Sequence, residues 1–97
     1  MVHVYILFSE KLDRYYVGNT ELLPEERLAQ HNAMLKRNSF TSKGVPWQLV
    51  LVFDCESRKQ GVEVEQHIKR MKSSRYLDNL RKYDEMRTKL LLRYRNT

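Results

Sequence analysis

The chain has 97 residues, 41% hydrophobic and 31% charged, which is the composition of one folded domain with a modest core and excludes a disordered chain. Its longest apolar run, Leu49 to Phe53, is far shorter than the roughly 20 residues that cross a bilayer. A lone cysteine, Cys55, rules out an intrachain disulfide and a four-cysteine metal site. The net charge of +6 is uneven: Lys69 to Thr97 holds ten Lys/Arg against three Asp/Glu, and the remainder holds eight against nine. A body of charge near zero is thus joined to a basic C-terminal segment, the kind that phosphate backbones attract through counterion release.

In chain order, the first predicted strand is His3 to Phe8, with Val4, Ile6 and Phe8 on one side and Tyr5 and Leu7 on the other. Ser9 to Asp13 reads as a hairpin loop, and Arg14 to Val17 as an aromatic-rich strand returning beside the first, ended by Gly18-Asn19. The pattern predicts a helix from about Leu22 to Lys36, with Pro24 in its first turn and Glu21, Glu25 and Glu26 at the positive end of its dipole. Arg37 to Pro46 reads as a polar loop. Trp47 to Phe53, almost wholly apolar, reads as a third and central strand. Ser57-Arg58-Lys59-Gln60 is a capping box that starts a helix running to about Lys72. After Ser73-Ser74 a basic helix begins near Arg75. Its stripe of Leu77, Leu80, Tyr83, Met86, Leu90 and Tyr94 is expected to pack on the body or on a second copy. The expected fold is therefore α+β: a three-stranded antiparallel sheet flanked by helices, with an extra basic C-terminal helix. It forms one domain over 1–97, with a core of about 1–80 and a basic helical segment over about 75–97. No signal peptide is read in Met1-Val2-His3-Val4, and a cytoplasmic protein without a membrane partner is expected.

Four features bear on chemistry. On the helix after Ser57, Val64, Ile68 and Met71 share a stripe, and Glu65 falls between Ile68 and Val62. A carboxylate edged into an apolar face is costly to desolvate unless it meets a cation or a metal, although a rim glutamate reaching water is the commoner case. Tyr5 and Tyr16 sit on strands that pair, so their phenols approach across the sheet; strand tyrosines are more often core. Arg27 and His31 lie four apart on one helical face.

Their order is more specific than any one of them. Val4-Tyr5-Ile6, Tyr16-Val17-Gly18, Arg27 to Asn32 and the later Glu65 resemble the GIY-YIG nuclease superfamily, and more narrowly its small stand-alone bacterial members. The resemblance covers nearly all of residues 2–80, including Phe40 to Trp47 and Ser57 to Lys72. It implies catalytic roles for Tyr5, Tyr16, Arg27, His31 and Glu65, with Glu65 as the metal ligand. Asn79 is the nearest candidate for a late asparagine that many relatives carry.

Phosphodiester hydrolysis needs a water nucleophile, charge neutralisation on phosphate and help for the leaving oxygen. One carboxylate suits Mg²⁺, or Mn²⁺, which keeps most of its waters. Arg27 can grip a phosphate oxygen, and Tyr5 is assigned as the base with Tyr16 holding the geometry. The resulting expectation is a Mg²⁺-dependent endonuclease acting on DNA, with RNA as the alternative polymer, in repair or on branched or foreign DNA. Lys43, Lys69, Arg70, Lys72 and Arg75 are expected to contact the backbone. Two alternatives are a non-catalytic nucleic-acid-binding module using the basic segment and a protein-interaction domain that forms a homodimer through its C-terminal helix.

Overall fold

The computed structural model describes residues 1–33 and 40–95, the side chains of residues 40 and 41 aside. Strand β1 (Val2–Ser9) and strand β2 (Arg14–Thr20) form an antiparallel hairpin. Strand β3 (Trp47–Cys55) pairs antiparallel with the other side of β1, so the sheet order is β2-β1-β3. The helices are α1 (Pro24–Asn32), the single turn α2 (Phe40–Lys43), α3 (Arg58–Met71), α4 (Ser74–Lys82) and α5 (Asp84–Arg93). Among the described residues no helix is long and apolar enough to cross a membrane.

The sheet is covered on both faces, because β1 alternates between two apolar sets. Val4 and Ile6 face α3, α4 and α5 and join Phe53, Cys55, Val64, Ile68, Leu77, Leu80 and Leu90. Tyr5 and Leu7 face α1 and join Trp47, Tyr16 and Leu28. The first set is the larger, and each fully buried leucine or isoleucine in it contributes about 1.5–3 kcal/mol. Gly61 lets α3 approach β1 closely, since a Cβ there would stand 2.7 Å from a methyl of Val2.

The three-stranded antiparallel sheet is as expected, but several boundaries and one position differ. Strand β2 does not end at Gly18-Asn19: both lie within the ladder, Gly18 opposite Tyr5 and Asn19 opposite Val4. The apolar third strand is an edge of the sheet and β1 is central. Strand β3 is apolar because helices cover it, and Val50 is an extra residue in its pairing with β1, between the partners of Ile6 and Leu7. Helix α1 begins at Pro24, and Ala33 already caps its end. The rest of the expected helix, Met34 to Lys36, and the first loop residues to Ser39 lie outside the described residues. The polar loop after them contains α2.

At the capping box, Ser57 Oγ accepts from Gln60 N at 3.1 Å, as expected. The Gln60 side chain accepts instead from Glu56 N, and its amide donates to Leu91 O at 3.0 Å, tying α3 to α5. The single basic helix expected from Arg75 is two helices, parted at an extended Tyr83. Arg87 bridges the break by donating to the carbonyls of Leu80 and Arg81, while Asp84 and Glu85 stand at the favourable end of α5. The break leaves Tyr83 exposed and lets Leu77, Leu80 and Leu90 all reach the core. The stripe thus packs on the body, the first of its two expected destinations. A homodimer would have to use other surfaces than these leucines.

Candidate active site

The central residue is Tyr5, whose ring is 1% exposed. It points from the central strand over Gly18 on β2, where no side chain stands in the way: a Cβ on Gly18 would lie 2.6 Å from the Tyr5 hydroxyl. Helix α1 closes over this face and brings both residues of the expected pair to the same oxygen. His31 Nε2 is 3.0 Å from Tyr5 Oη, and an Arg27 guanidinium nitrogen donates to it at 3.5 Å. The i, i+4 spacing of Arg27 and His31 is what allows one helical face to present both.

Tyr16 completes the aromatic wall. Its ring centroid lies 4.9 Å from that of His31, 6.3 Å from Tyr5 and 6.2 Å from Trp47. Arg27 is further held by Gln30, whose side-chain oxygen accepts from it at 2.5 Å, while its Nε is buried with no partner among the described residues. The guanidinium is therefore oriented but only partly engaged.

Glu65 comes from the other layer. Helix α3 carries it to the β2 edge, where its side chain is 15% exposed. Asn19 donates to Oε2 at 2.8 Å and Lys69 to Oε1 at 3.3 Å. A carboxylate offers about four lone-pair directions, so both oxygens retain acceptor capacity after these bonds. That donor set suits a hard divalent cation that keeps waters and takes a further ligand from phosphate. Among the described residues no group of three His, Cys, Asp or Glu could hold a metal by itself; Glu65 would be its one carboxylate ligand.

The electrostatics assign protons. Burial pushes the Tyr5 phenol above its ordinary value, a shift opposed by the hydrogen bond from Arg27 and reinforced by Tyr16 and Glu65. Burial, then the Arg27 charge, lowers His31 below 6.5. Both shifts favour the neutral forms, a phenol beside an imidazole that share one hydrogen bond. The raised Tyr5 phenol is held away from the phenolate form.

The structure brings four of the five expected residues, Tyr5, Tyr16, Arg27 and His31, into one cluster, while Glu65 stands on α3 with Asn19 and Lys69 and reaches the cluster through its charge, which acts on Tyr5. The expected phosphate contacts are more scattered. Lys69 and Lys72 stand at the C-terminal end of α3 beside this cluster, while Arg70 lies near His67 and Arg93. Lys43 ends α2 and Arg75 is exposed on α4. Asn79 lies on α4, where its carbonyl accepts from Tyr83 N, and no described contact ties its side chain to the cluster. Two residues were not expected. Gly18 and Asn19 looked like turn punctuation, yet one makes room for Tyr5 and the other orients Glu65. The observed register, Ser9 opposite Arg14, puts Tyr5 opposite Gly18, whereas the expected loop of Ser9 to Asp13 would have paired Phe8 with Arg14 and set Tyr5 against Val17. The Asn19–Glu65 bond spans 46 residues and has no local signature.

Comparison with known proteins agrees with this geometry. The GIY-YIG catalytic domain family matches residues 1–82. The chain is similar to the structure-specific endonuclease subunit SLX1 of Meyerozyma guilliermondii, 34% identical over 79 residues that make up 76% of this chain and 26% of that protein. The chain thus spans about a quarter of that relative's length. No solved structure matches it significantly.

Proposed function

The chain belongs to the GIY-YIG catalytic-domain family, a family of nucleases, and from that premise we propose that it is a divalent-metal-dependent DNA endonuclease with Tyr5, His31, Arg27 and Glu65 as its catalytic residues. The observation that carries the reading is the hydroxyl of Tyr5 shared between His31 Nε2 at 3.0 Å and Arg27 at 3.5 Å. Packing alone requires no such convergence around a buried phenol.

A water attacks phosphorus as the bond to the leaving sugar oxygen breaks. Tyr5 Oη takes the water's proton while its own proton passes to His31 Nε2, so no free phenolate is required. The imidazolium so formed is disfavoured by the Arg27 charge and returns its proton to solvent. Arg27, already aimed by Gln30, meets the charge that develops on the phosphate oxygens. Tyr16 packs against His31 and fixes its ring. A divalent cation bound at Glu65 would supply charge neutralisation and a polarised water. Asn19 and Lys69 orient that carboxylate. Mg²⁺ is proposed ahead of Mn²⁺ because a single carboxylate with waters and a phosphate is its usual setting.

The relative named above is a structure-specific endonuclease subunit, and branched DNA is proposed as the preferred substrate here, with repair or the removal of foreign DNA as its setting. The exposed Lys69, Arg70, Lys72 and Arg75 also suit a binding module without catalysis. The test is to incubate the protein with supercoiled plasmid and branched DNA under Mg²⁺, Mn²⁺ or EDTA, beside Glu65→Ala and Arg27→Ala. Metal-dependent cutting that both folded variants lose supports the nuclease. No cutting, with equal DNA binding by all three proteins, leaves the binding module.

A further inference from the structure

Between the β1–β2 turn and the junction of α3 with α4 runs an open groove of about 740 Å³. It meets the catalytic cluster at one end only, through Tyr16 and Lys69, and the chemistry described above uses none of the rest. Arg14, Lys69 and Lys72 give it three cations against one carboxylate, Asp13. Tyr15 and Tyr16 also line it, Tyr15 from the α4 face of β2 and Tyr16 from the α1 face, so the groove wraps round the edge of that strand. The Tyr15 ring is locked, because its hydroxyl donates to Asp78 at 2.5 Å and accepts from Arg81 at 3.2 Å. Ser74, in the first turn of α4, brings the positive end of that helix to the same wall.

Lys72 is informative in a second way. It caps α3 in the left-handed conformation, at φ 47° and ψ 40°. That position favours glycine, and another side chain there costs about 1 kcal/mol. The helix dipole favours a cation at this end, but a glycine would suit the backbone better, and Lys72 lines the groove.

We propose that this groove binds an unpaired strand of nucleic acid and leads it to the catalytic cluster. Cations that track a backbone, interleaved with rings that accept the face of any base, are the combination that holds single strands. A duplex offers its backbone but keeps its bases stacked away from such rings. Strand β2 is also a sheet edge, to which a peptide strand can add; the cationic excess favours the polyanion. The direction of the strand rests on the nuclease reading, whereas the binding itself does not.

The experiment measures fluorescence anisotropy in EDTA, with labelled oligothymidylate and a blunt duplex of equal length, across a salt series. The proteins are wild type and Arg14→Gln/Lys72→Gly, neither position being in the catalytic cluster. Glycine suits the backbone at residue 72, so loss of folding does not obscure the result; Arg14→Gln alone is the second check. The double variant should bind oligothymidylate about tenfold more weakly, with a salt slope shallower by about 1.4 for two lost phosphate contacts, and lose no more than about threefold on duplex, where Lys72 can still count as one phosphate contact. Equal loss on duplex, or no loss on either, overturns the proposal. So does weakened binding of an acidic peptide with unchanged oligonucleotide binding, which would assign the groove to a protein strand. Plasmid cutting is assayed in parallel. Cutting without groove-dependent strand binding refutes the groove alone, and groove-dependent binding without cutting refutes the nuclease alone.

Discussion

Gly18→Ala tests the geometry of the site with one methyl group. The new Cβ would stand 2.6 Å from the Tyr5 hydroxyl, 2.7 Å from Cζ and 3.0 Å from Cε1, where ordinary contact begins at 3.4 Å. The phenol must therefore move by about 0.8 Å, the difference between contact and clash. It is a rigid, fully buried ring, and Cζ clashes as well as the hydroxyl, so rotating the hydroxyl gives no relief. Overpacking of this kind costs about 1–3 kcal/mol. Replacing glycine inside a strand returns about 0.5–1 kcal/mol. The net loss is about 1 kcal/mol, or a fall in Tm of about 4–8 °C for a domain of this size. A displacement near 1 Å costs catalysis about 100-fold, because the 3.0 Å bond to His31 cannot survive it. Steady-state cutting of branched DNA, with a melting curve on the same sample, should show kcat down about 100-fold and KM within about twofold. A folded Gly18→Ala protein that retains half its kcat would refute the idea that Tyr5 works where the structure puts it.

Asn19→Ala removes the donor to Glu65 Oε2 and should weaken metal affinity or activity about 10–100-fold, read by Mn²⁺ titration in an EPR tube and by cutting rate; unchanged affinity and rate together would deny Asn19 its orienting role. Burial and neighbouring arginines lower both His31 and His67 below 6.5. Each binds protons less readily folded than unfolded, so its contribution to stability is complete above 6.5 and is lost as pH falls from there towards the folded value. Urea denaturation at pH 7.5 and 5.5 should show the loss, and His67→Asn should reduce it without moving the pH–rate profile. The cutting rate should fall on the acid side as His31 protonates, and a rate that rises with acid would contradict its role as acceptor. Leu90→Ala should cost about 2–5 kcal/mol in the same urea titration, since Leu90 is 5% exposed and seats α5 on the body; a loss under 1 kcal/mol would mean that α5 is loosely held.

The five proposed site residues were named from the sequence because their order along the chain resembles a family, each local signal being weak alone; four of them are brought together by short-range rules. The turn from Ser9 to Arg14 sets the hairpin register and so the Tyr5–Tyr16 approach, and one helical turn sets Arg27 above His31. Glu65 stood out as a carboxylate between Ile68 and Val62, although a rim glutamate was the commoner reading of that position. Met71, expected on the stripe of Val64 and Ile68, is exposed because α3 ends there and the chain departs at Lys72. Strand order was not legible. Strand β3 looks central by hydropathy, whereas β1, which contains His3 and Tyr5, is the strand paired on both sides. Hydropathy reports coverage of the faces, and pairing of the edges leaves no mark on it. The break at Tyr83 was equally hidden, because Leu77, Leu80 and Leu90 fit one continuous helical stripe as well as two helices joined by Arg87.

Helix α1 carries Arg27 and His31, yet Pro24 is its one buried residue. Its hold on the body is Leu28, the contacts of Arg27 and His31 with Tyr5 and Tyr16, and the side chain of Asn32, which accepts from Trp47 N at 2.7 Å and donates to Trp47 O at 3.1 Å as a neighbouring strand would. Glu65 and Asn19 stand instead on α3 and β2, on elements that contribute Val64, Ile68 and Val17 to the large core. The proposed catalytic centre therefore spans two layers, and α1, with Pro24 as its one buried residue, is expected to detach at a lower free energy than the sheet melts. On warming, cutting should cease several degrees before the circular dichroism of the sheet changes, and should return at once on cooling.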